Sequence, residues 1–331
     1  MGRAPALVDS FGRRVTYLRL SVTDRCDLRC RYCMAETMSF LPRADLLSLD
    51  ELGEIAALFV RRGVRHIRLT GGEPLGRGGV ERLVRDIARL RGEGLEEVTL
   101  TTNGTRLAAK AAHLFDAGIR RINVSLDSLD PERFRFITRR GELDRVLEGI
   151  AAASAAGMSV RINMVALRGL NEDEIAPMLR WCGERGFDLC LIETMPLGTV
   201  EERRSERFLP LDSVRRTLER AFTLVPSAHR SSGPARYFDV AETGTRLGFI
   251  SPLTGNFCAG CNRVRVTATG TIYPCLGHDR KVELGELLRR GDRAELASAL
   301  DRALAAKPER HDFEIERERP ALERHMSVTG G

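Results

Sequence analysis

Six of the eight cysteines form two closely spaced triplets, whose residue type and spacing suit metal chemistry. The triplets are Cys26, Cys30 and Cys33, spaced C-x3-C-x2-C, and Cys258, Cys261 and Cys275, spaced C-x2-C-x13-C. Structural zinc takes four protein ligands, whereas three thiolates leave one iron of a cubane open to a small molecule. The spacing therefore predicts two 4Fe-4S clusters, each with one open iron.

Zinc is the alternative at both triplets. Zinc at the first triplet needs a distant fourth ligand, while His278, three residues after Cys275, is placed to complete a site at the second. The remaining cysteines, Cys182 and Cys190, stand apart, and we interpret them as ordinary buried thiols.

Several arginines are predicted to share the inner face of a barrel. In CNRVRVTATG alternate side chains point to opposite faces, so Arg263 and Arg265 point the same way. The same alternation places Arg19, Arg68 and Arg161 opposite the apolar residues of their strands. Unpaired cations there predict an anion, and arginine suits phosphate. The alternative is pairing with internal carboxylates, namely Glu73, Asp127 and Glu193.

The elements that position these residues are predicted βα units. Short β-branched runs alternate with helical patterns between residues 15 and 195, which is typical of a parallel sheet. The predicted strands are Val15 to Val22, Arg65 to Leu69, Glu97 to Thr101, Ile122 to Ser125, Ser159 to Val165 and Asp188 to Thr194. Polar or glycine-rich signatures follow nearly every strand, where barrels place active sites. We expect an α/β fold with an open (βα)6 three-quarter barrel of TIM type.

The alternation of strand and helix patterns ends after the barrel, which predicts a second region. The stretch PSAHRSSGPAR at 226–236 separates a barrel at 1–225 from a smaller α+β region at 226–331, which ends in a Gly-Gly tail. We expect this region to carry the second triplet over the barrel mouth.

Composition sets broader limits. The 331 residues are 43% hydrophobic and 30% charged, which is typical of a soluble globular protein. No apolar run suits a signal peptide or a membrane span, so we expect a cytoplasmic protein without a membrane partner. The net charge of +6 is scattered, which allows an RNA substrate but does not require one.

The first triplet, with Tyr32 before its last cysteine and GGEP at 71–74, resembles the radical S-adenosylmethionine superfamily. In that superfamily the open iron binds S-adenosylmethionine, and an electron delivered through the cluster cleaves it to a 5′-deoxyadenosyl radical. The resemblance places Tyr32, Gly72, Ser125 and Met195 at the positions that contact this cofactor.

The whole chain resembles the GTP 3′,8-cyclase (MoaA) family. Matching blocks include DSFGRRVTYLRLSVTDRCDLRCRYCM, IRLTGGEPL, TTNG, INVSLDSLD, GFISPLTGNFCAGCNRVRVTATG and the terminal GG. The resemblance implies that the second cluster meets the guanine of GTP. It also implies GTP contacts at Arg19, Arg68, Thr101, Arg161, Arg263, Val264 and Arg265. Gly330 and Gly331 are hypothesised to enter the barrel as catalytic residues that hold GTP or its radical.

The implied reaction belongs to molybdenum cofactor biosynthesis and converts GTP to (8S)-3′,8-cyclo-7,8-dihydroguanosine 5′-triphosphate. Implied partners are a cyclic pyranopterin monophosphate synthase of the MoaC family, which receives the product, and a reductase or flavodoxin that donates electrons. A homodimer is compatible with this reading, and nucleic acid is not an expected partner. Two alternatives stay open: another radical enzyme that modifies RNA or a peptide, and a zinc-stabilised module that binds nucleic acid.

The sequence departs from the family pattern at three positions. Arg161 stands where many relatives carry Lys, Cys190 where some carry Arg, and Asp27 where Asn is common. The first change keeps the charge but alters the geometry of the donors.

Overall fold

The computed structural model describes residues 5–315 and 320–330. In this part of the chain the strands form one mixed sheet, in the order β12-β11-β10-β1-β2-β3-β4-β5-β6-β9-β8-β7. The strands are β1 (Tyr17–Ser21), β2 (His66–Thr70), β3 (Glu97–Thr102), β4 (Arg121–Ser125), β5 (Ser159–Ala166), β6 (Asp188–Glu193), β7 (Leu224–Pro226), β8 (Arg236–Val240), β9 (Thr245–Ile250), β10 (Arg263–Val266), β11 (Thr271–Tyr273) and β12 (Val282–Glu283).

The first six strands confirm the predicted barrel. β1 to β6 pair in parallel and in chain order, and each lies within two residues of its predicted bounds. The sheet is open, because β12 and β7 lie at its two edges and do not pair with each other.

Helices connect most of these strands. They are α1 (Leu49–Arg61), α2 (Val80–Arg89), α3 (Ala111–Ala117), α4 (Pro131–Thr138), α5 (Leu143–Ala155), α6 (Ile175–Glu184), α7 (Arg204–Arg207), α8 (Leu211–Leu218), α9 (Gly285–Arg289), α10 (Arg293–Ala305) and α11 (Met326–Thr329). α1 begins with a capping box in which the Ser48 hydroxyl accepts from the Glu51 amide and the Glu51 carboxylate accepts from the Ser48 amide. No helix of the described residues is long and apolar enough to cross a membrane.

The later strands extend the same sheet at both edges. β10 pairs in parallel with β1, and β9 pairs in parallel with β6, so eight parallel strands lie side by side. β11 and β12 then continue one edge in antiparallel fashion, and β8 and β7 continue the other. β7 spans the predicted boundary at residue 225, and the division into two regions stays a prediction.

The two faces of the parallel strands differ in chemistry. Leu18, Leu20, Ile67 and Leu69 are fully buried in the hydrophobic core that the helices cover. The alternate residues point into the barrel, as the period of two predicts. This inner face carries the polar and charged side chains of the site.

Candidate active site

Two cavities lie inside the barrel and share a wall. The first cavity is lined by one cysteine triplet, Cys26, Cys30 and Cys33, and by residues at the carboxyl ends of β2 to β6. The second cavity is lined by the other triplet, Cys258, Cys261 and Cys275, and by residues further back along the same strands. Both cavities contact Asn163, Ile192, Met195 and Met326.

The two triplets lie at opposite ends of β1. Cys33 and its partners follow the carboxyl end of β1, whereas Cys261 precedes β10. Because β10 runs parallel to β1, with Arg263 opposite Tyr17, the second triplet lies near the amino end of β1. The second triplet therefore does not lie over the mouth that carries the first, and the expectation that placed it there was wrong.

Close backbone packing positions the first triplet. The amide of Gly72 donates to the carbonyl of Thr23 at 2.8 Å, and the amide of Glu73 donates to the carbonyl of Arg25 at 2.7 Å. A Cβ at Gly72 would overlap the Arg25 carbonyl. The glycine that lines the first cavity is thus also required for the cysteine loop to pack against β2.

A buried carboxylate connects this turn to the next strand. Glu73 accepts hydrogen bonds from the amide of Leu75 at 2.9 Å, the hydroxyl of Thr102 at 2.7 Å and the amide of Asn103 at 2.7 Å. Burial raises the pKa of Glu73 to about 7. Asn103 in turn donates to Asp27 at 2.7 Å, next to Cys26 in the loop.

The first triplet fits a cationic iron centre. Burial and the nearby Glu73 raise the pKa of Cys26 to about 12, and burial raises the pKa of Cys33 to about 11. These thiols stay protonated unless a positive charge arrives, and a coordinated metal ionises such thiols. From the same loop the Tyr32 hydroxyl donates to Asp127 at 2.7 Å, and burial raises the pKa of that carboxyl to about 6.

The second triplet has a different electrostatic setting. Burial by itself would raise the pKa of the Cys261 thiol. The positive charges of Arg263 and Lys307 outweigh burial and lower this pKa to about 7. The ammonium of Lys307 lies 3.5 Å from the Cys261 sulfur. Arg13 holds the neighbouring backbone, because it donates to the Cys258 carbonyl at 2.8 Å.

The zinc alternative finds no support in the described residues. The Nε2 of His278 lies 2.9 Å from the Arg310 carbonyl, so this nitrogen is occupied by a backbone hydrogen bond and not by a metal. In the ranges 5–315 and 320–330, no three side chains of His, Cys, Asp or Glu converge as the ligands of a single ion do. The ligands of a cubane bind separate irons and need not converge in this way.

A row of arginines crosses the inner face of the barrel. Arg265, Arg19 and Arg68 are direct neighbours on β10, β1 and β2, and Arg161 and Arg263 line the same second cavity. Burial, with repulsion from Arg68 and Arg263, lowers the pKa of Arg19 to about 10. Three guanidiniums in one register repel each other, so the row needs an external anion for compensation.

The internal carboxylates do not supply this compensation. Glu193 binds Thr254 and the amide of Leu211, and Glu73 and Asp127 have the partners described above. Within the described residues no carboxylate lies within 4.0 Å of Arg19, Arg68, Arg263 or Arg265. Arg161, which lines the same cavity, lies 3.9 Å from Asp188.

Orphaned polar atoms line the same cavity. These buried atoms lack a hydrogen-bond partner in the described protein: Tyr17 Oη, Arg19 Nε, Asn123 Oδ1, Arg161 Nε and Asn163 Oδ1. Buried polar groups are almost always satisfied, so such a cluster indicates a polar ligand.

The other predicted contact residues lie on the cavity walls. Ser125 and Thr101 line the first cavity, and Met195 lines both. Val264 lines the second cavity and packs into the core. Cys182 and Cys190 are buried thiols, of which Cys190 faces the second cavity; their predicted lack of a role stays a prediction.

The tail enters the barrel. Gly330 lies against Thr70 at the end of β2, where a Cβ would overlap the threonine hydroxyl. Arg265 donates to the carbonyl of Thr329 at 3.3 Å and also to that of Gly330. Gly331 lies outside the described residues.

Comparisons with known proteins agree with this geometry. Residues 20–182 match the radical SAM superfamily model, and residues 187–313 match the Molybdenum Cofactor Synthesis C model. The chain is 59% identical to a GTP 3′,8-cyclase of Erythrobacter litoralis (strain HTCC2594), covering 99% of both chains. A GTP 3′,8-cyclase of Rhizobium meliloti (strain 1021) is 58% identical, over 98% of this chain and 94% of the relative. The chain belongs to the GTP 3′,8-cyclase family.

A solved structure supports the fold of this family member. The crystal structure of Streptococcus suis SuiB bound to precursor peptide SuiA covers 95% of this chain and 76% of that chain, with a TM-score of 0.62 and 14% identity. At this identity the likeness concerns the fold alone.

Sequence reasoning missed two residues beside the second triplet of this cyclase-family chain. Lys307 and Arg13 both contact it, but they lie far from the cysteines along the chain. Arg13 lies in the matching block that begins DSFGRR, and Lys307 lies in none, but no spacing relates either residue to the second triplet. Their proximity to it depends on how α10 and the first residues pack.

We expect Gly72→Ala to displace the cysteine loop, because its Cβ overlaps the Arg25 carbonyl. Anaerobically reconstituted protein should lose the iron of the first triplet, about four irons per chain. Gly78→Ala is the matched control, since a Cβ there meets nothing within 4 Å. Equal iron content in both variants would contradict this reading of Gly72.

Proposed function

We propose that this chain is a GTP 3′,8-cyclase of molybdenum cofactor biosynthesis, which uses two 4Fe-4S clusters and S-adenosylmethionine. The observation that carries the proposal is the second cavity. It combines a cysteine triplet, five guanidiniums and several orphaned polar atoms, and it adjoins the cavity of the first triplet. A nucleoside triphosphate offers both the phosphates and the polar base that such a cavity needs.

The first triplet is the proposed site of the catalytic cluster and of S-adenosylmethionine. Tyr32, Gly72, Ser125 and Met195 line this cavity and are the proposed contacts of the cofactor. When bound, the cluster and cofactor supply a 5′-deoxyadenosyl radical. The cavity lies inside the barrel, where a bound radical would be less accessible to water than at the protein surface.

The second triplet is the proposed site of the cluster that contacts guanine. Arg263 lies two residues after Cys261 and is placed to orient the base, while the row of Arg265, Arg19 and Arg68 is placed to bind phosphate. The ribose then lies near the shared wall at Asn163 and Met195, within reach of the first cavity. In such an arrangement Asn163 and Met195 would hold the ribose next to the first cavity, and Arg263 would hold the guanine for bond formation.

The remaining assigned residues lie on both cavities, with Thr101 on the first and Arg161 and Val264 on the second. Thr101, Arg161 and Val264 are proposed GTP contacts, and Gly330 with Gly331 are proposed to hold the substrate radical in its productive pose. A MoaC-family synthase is the proposed acceptor of the product, and a reductase or flavodoxin the proposed donor of electrons. None of the eight cysteines forms a disulfide, which suits the reducing cytoplasm.

The number of clusters is tested by iron analysis. Reconstituted protein should hold roughly eight irons, and replacing the second triplet, Cys258, Cys261 and Cys275, with serine should halve this number. Cys182→Ser is the control, because this thiol is buried on α6 away from both cavities. Unchanged iron in the triple variant would contradict the second cluster.

The anion site is tested at Arg19, which is buried in the row and has no carboxylate partner among the residues that the structure describes. Arg19→Met should weaken GTP binding by about 1.5 to 3 kcal/mol, the usual loss for a hydrogen bond to a charged group. The same change should raise the free energy of unfolding, because it removes a buried, repelled cation.

Calorimetry with GTP, ATP, CTP and UTP and urea unfolding measure the two effects separately. Arg85→Met, at an exposed position of α2, is the control and should alter neither. A variant at Arg19 that binds GTP normally but unfolds more readily would show a structural role for this arginine.

The tail is tested by deleting Gly330 and Gly331. Because Gly330 lies against Thr70 and accepts from Arg265, the deletion should leave cleavage of S-adenosylmethionine intact but abolish the cyclised product. Glu323→Ala, at an exposed residue of the same segment, should keep both activities. Product formation at the parental rate after deletion would leave the tail without a role.

A further inference from the structure

Lys307 is a buried cation that the proposed reaction does not use. It is only 3% exposed. Its Nζ donates to the carbonyl of Pro274 at 2.6 Å and to that of Arg263 at 2.9 Å, and it lies 3.5 Å from the Cys261 sulfur. An ammonium has three N–H donors, so all three are directed at the second cysteine site.

The position of Lys307 is determined by packing elsewhere. α10 buries Leu296, Leu300 and Leu304, and the amide of Lys307 donates to the Leu304 carbonyl at 3.0 Å. The next residues are held by Arg13, which donates to the carbonyls of residues 308 and 309 at 2.6 Å each. The ammonium is therefore pre-positioned against the triplet from outside the cysteine loop.

A buried ammonium requires a negative charge nearby. Its two carbonyl partners provide dipoles, and among the described residues no carboxylate lies within 4.0 Å of its Nζ. Cys261 is the group at this site that becomes an anion, as a thiolate bound to iron. Arg263 Nη2 lies 3.9 Å from the same sulfur, so two cations flank one cysteine.

We propose that Lys307 is the counter-ion of the cluster held by the second triplet and makes this cluster easier to reduce. The proposal rests on the proposed function, which places a cluster there. Reduction adds one electron from a low-potential external donor and breaks no bond. A nearby cation in a buried setting stabilises the added charge, and hydrogen bonds to cluster sulfurs tune the potential in the same way. Lys307 is thus a positioning residue that acts through Cys261.

The test isolates the second cluster within the full chain. A parent variant in which Cys26, Cys30 and Cys33 are serine retains only that cluster, which is titrated with dithionite and followed by visible absorption and electron paramagnetic resonance. K307M removes the charge and the donors, whereas K307Q retains donors without the charge. K281M is the matched control, because Lys281 is exposed and its Nζ lies 3.8 Å from Glu283.

In both K307M and K307Q the ratio of reduced to oxidised cluster at a fixed ambient potential should be about tenfold lower, which corresponds to about 59 mV for one electron. K281M should titrate like the parent. The iron content of each variant is measured alongside, so that the potential is compared only between loaded clusters.

Three results would overturn the proposal. Parental potentials in K307M and K307Q with full iron would exclude an effect of the charge. Loss of iron in K307M with a parental potential in K307Q, or loss of iron in both, would make Lys307 a structural residue. A parent variant without any iron would instead refute the second cluster itself, which separates failure of the proposed function from failure at Lys307.

Discussion

The interior of the barrel is dominated by a set of buried guanidiniums that no carboxylate of the described residues neutralises. Arg265, Arg19 and Arg68 lie in one register on three adjacent strands, and repulsion and burial both act against them. Hydrophobic burial on the opposite face of the same strands, where leucine and isoleucine pack against the helices, offsets the unfavourable free energy of burying these cations. Buried cations that lack a carboxylate partner among the described residues indicate that an anion binds in this space.

The barrel also separates two cysteine sites with different electrostatics. Near Cys26 and Cys33, burial and the carboxyl groups of Glu73 and Asp127 oppose ionisation of the thiols. Near Cys261, cations favour it. Because the triplets lie at opposite ends of β1 and Arg19 is the middle residue of that strand, the arginine row crosses the barrel between the two sites. The two cysteine sites of one chain therefore differ in how readily their thiols ionise.

The last third of the chain completes the site by joining the barrel sheet. β10 adds to the edge beside β1 and brings Arg265 into register with Arg19, while β9 adds to the edge beside β6. The segment after residue 320 then crosses to the first triplet, where His325 lies 3.4 Å from the Cys33 carbonyl and Gly330 meets Thr70. Residues distant in sequence thus enclose both cavities.

The amino-acid sequence by itself determined the six barrel strands, the cysteine triplets and the inward face of the arginines, because these depend on local spacing and on the two-residue period of a strand. Only the tertiary structure decided the edge pairing of β9 and β10, the opposite positions of the two triplets, and the contacts of Arg13 and Lys307. These features join residues far apart along the chain, and no local pattern encodes them. They arise because β10 and β9 cover the two edges of the six-stranded barrel sheet and because α10 buries its apolar face. Both depend on the packing of the whole chain.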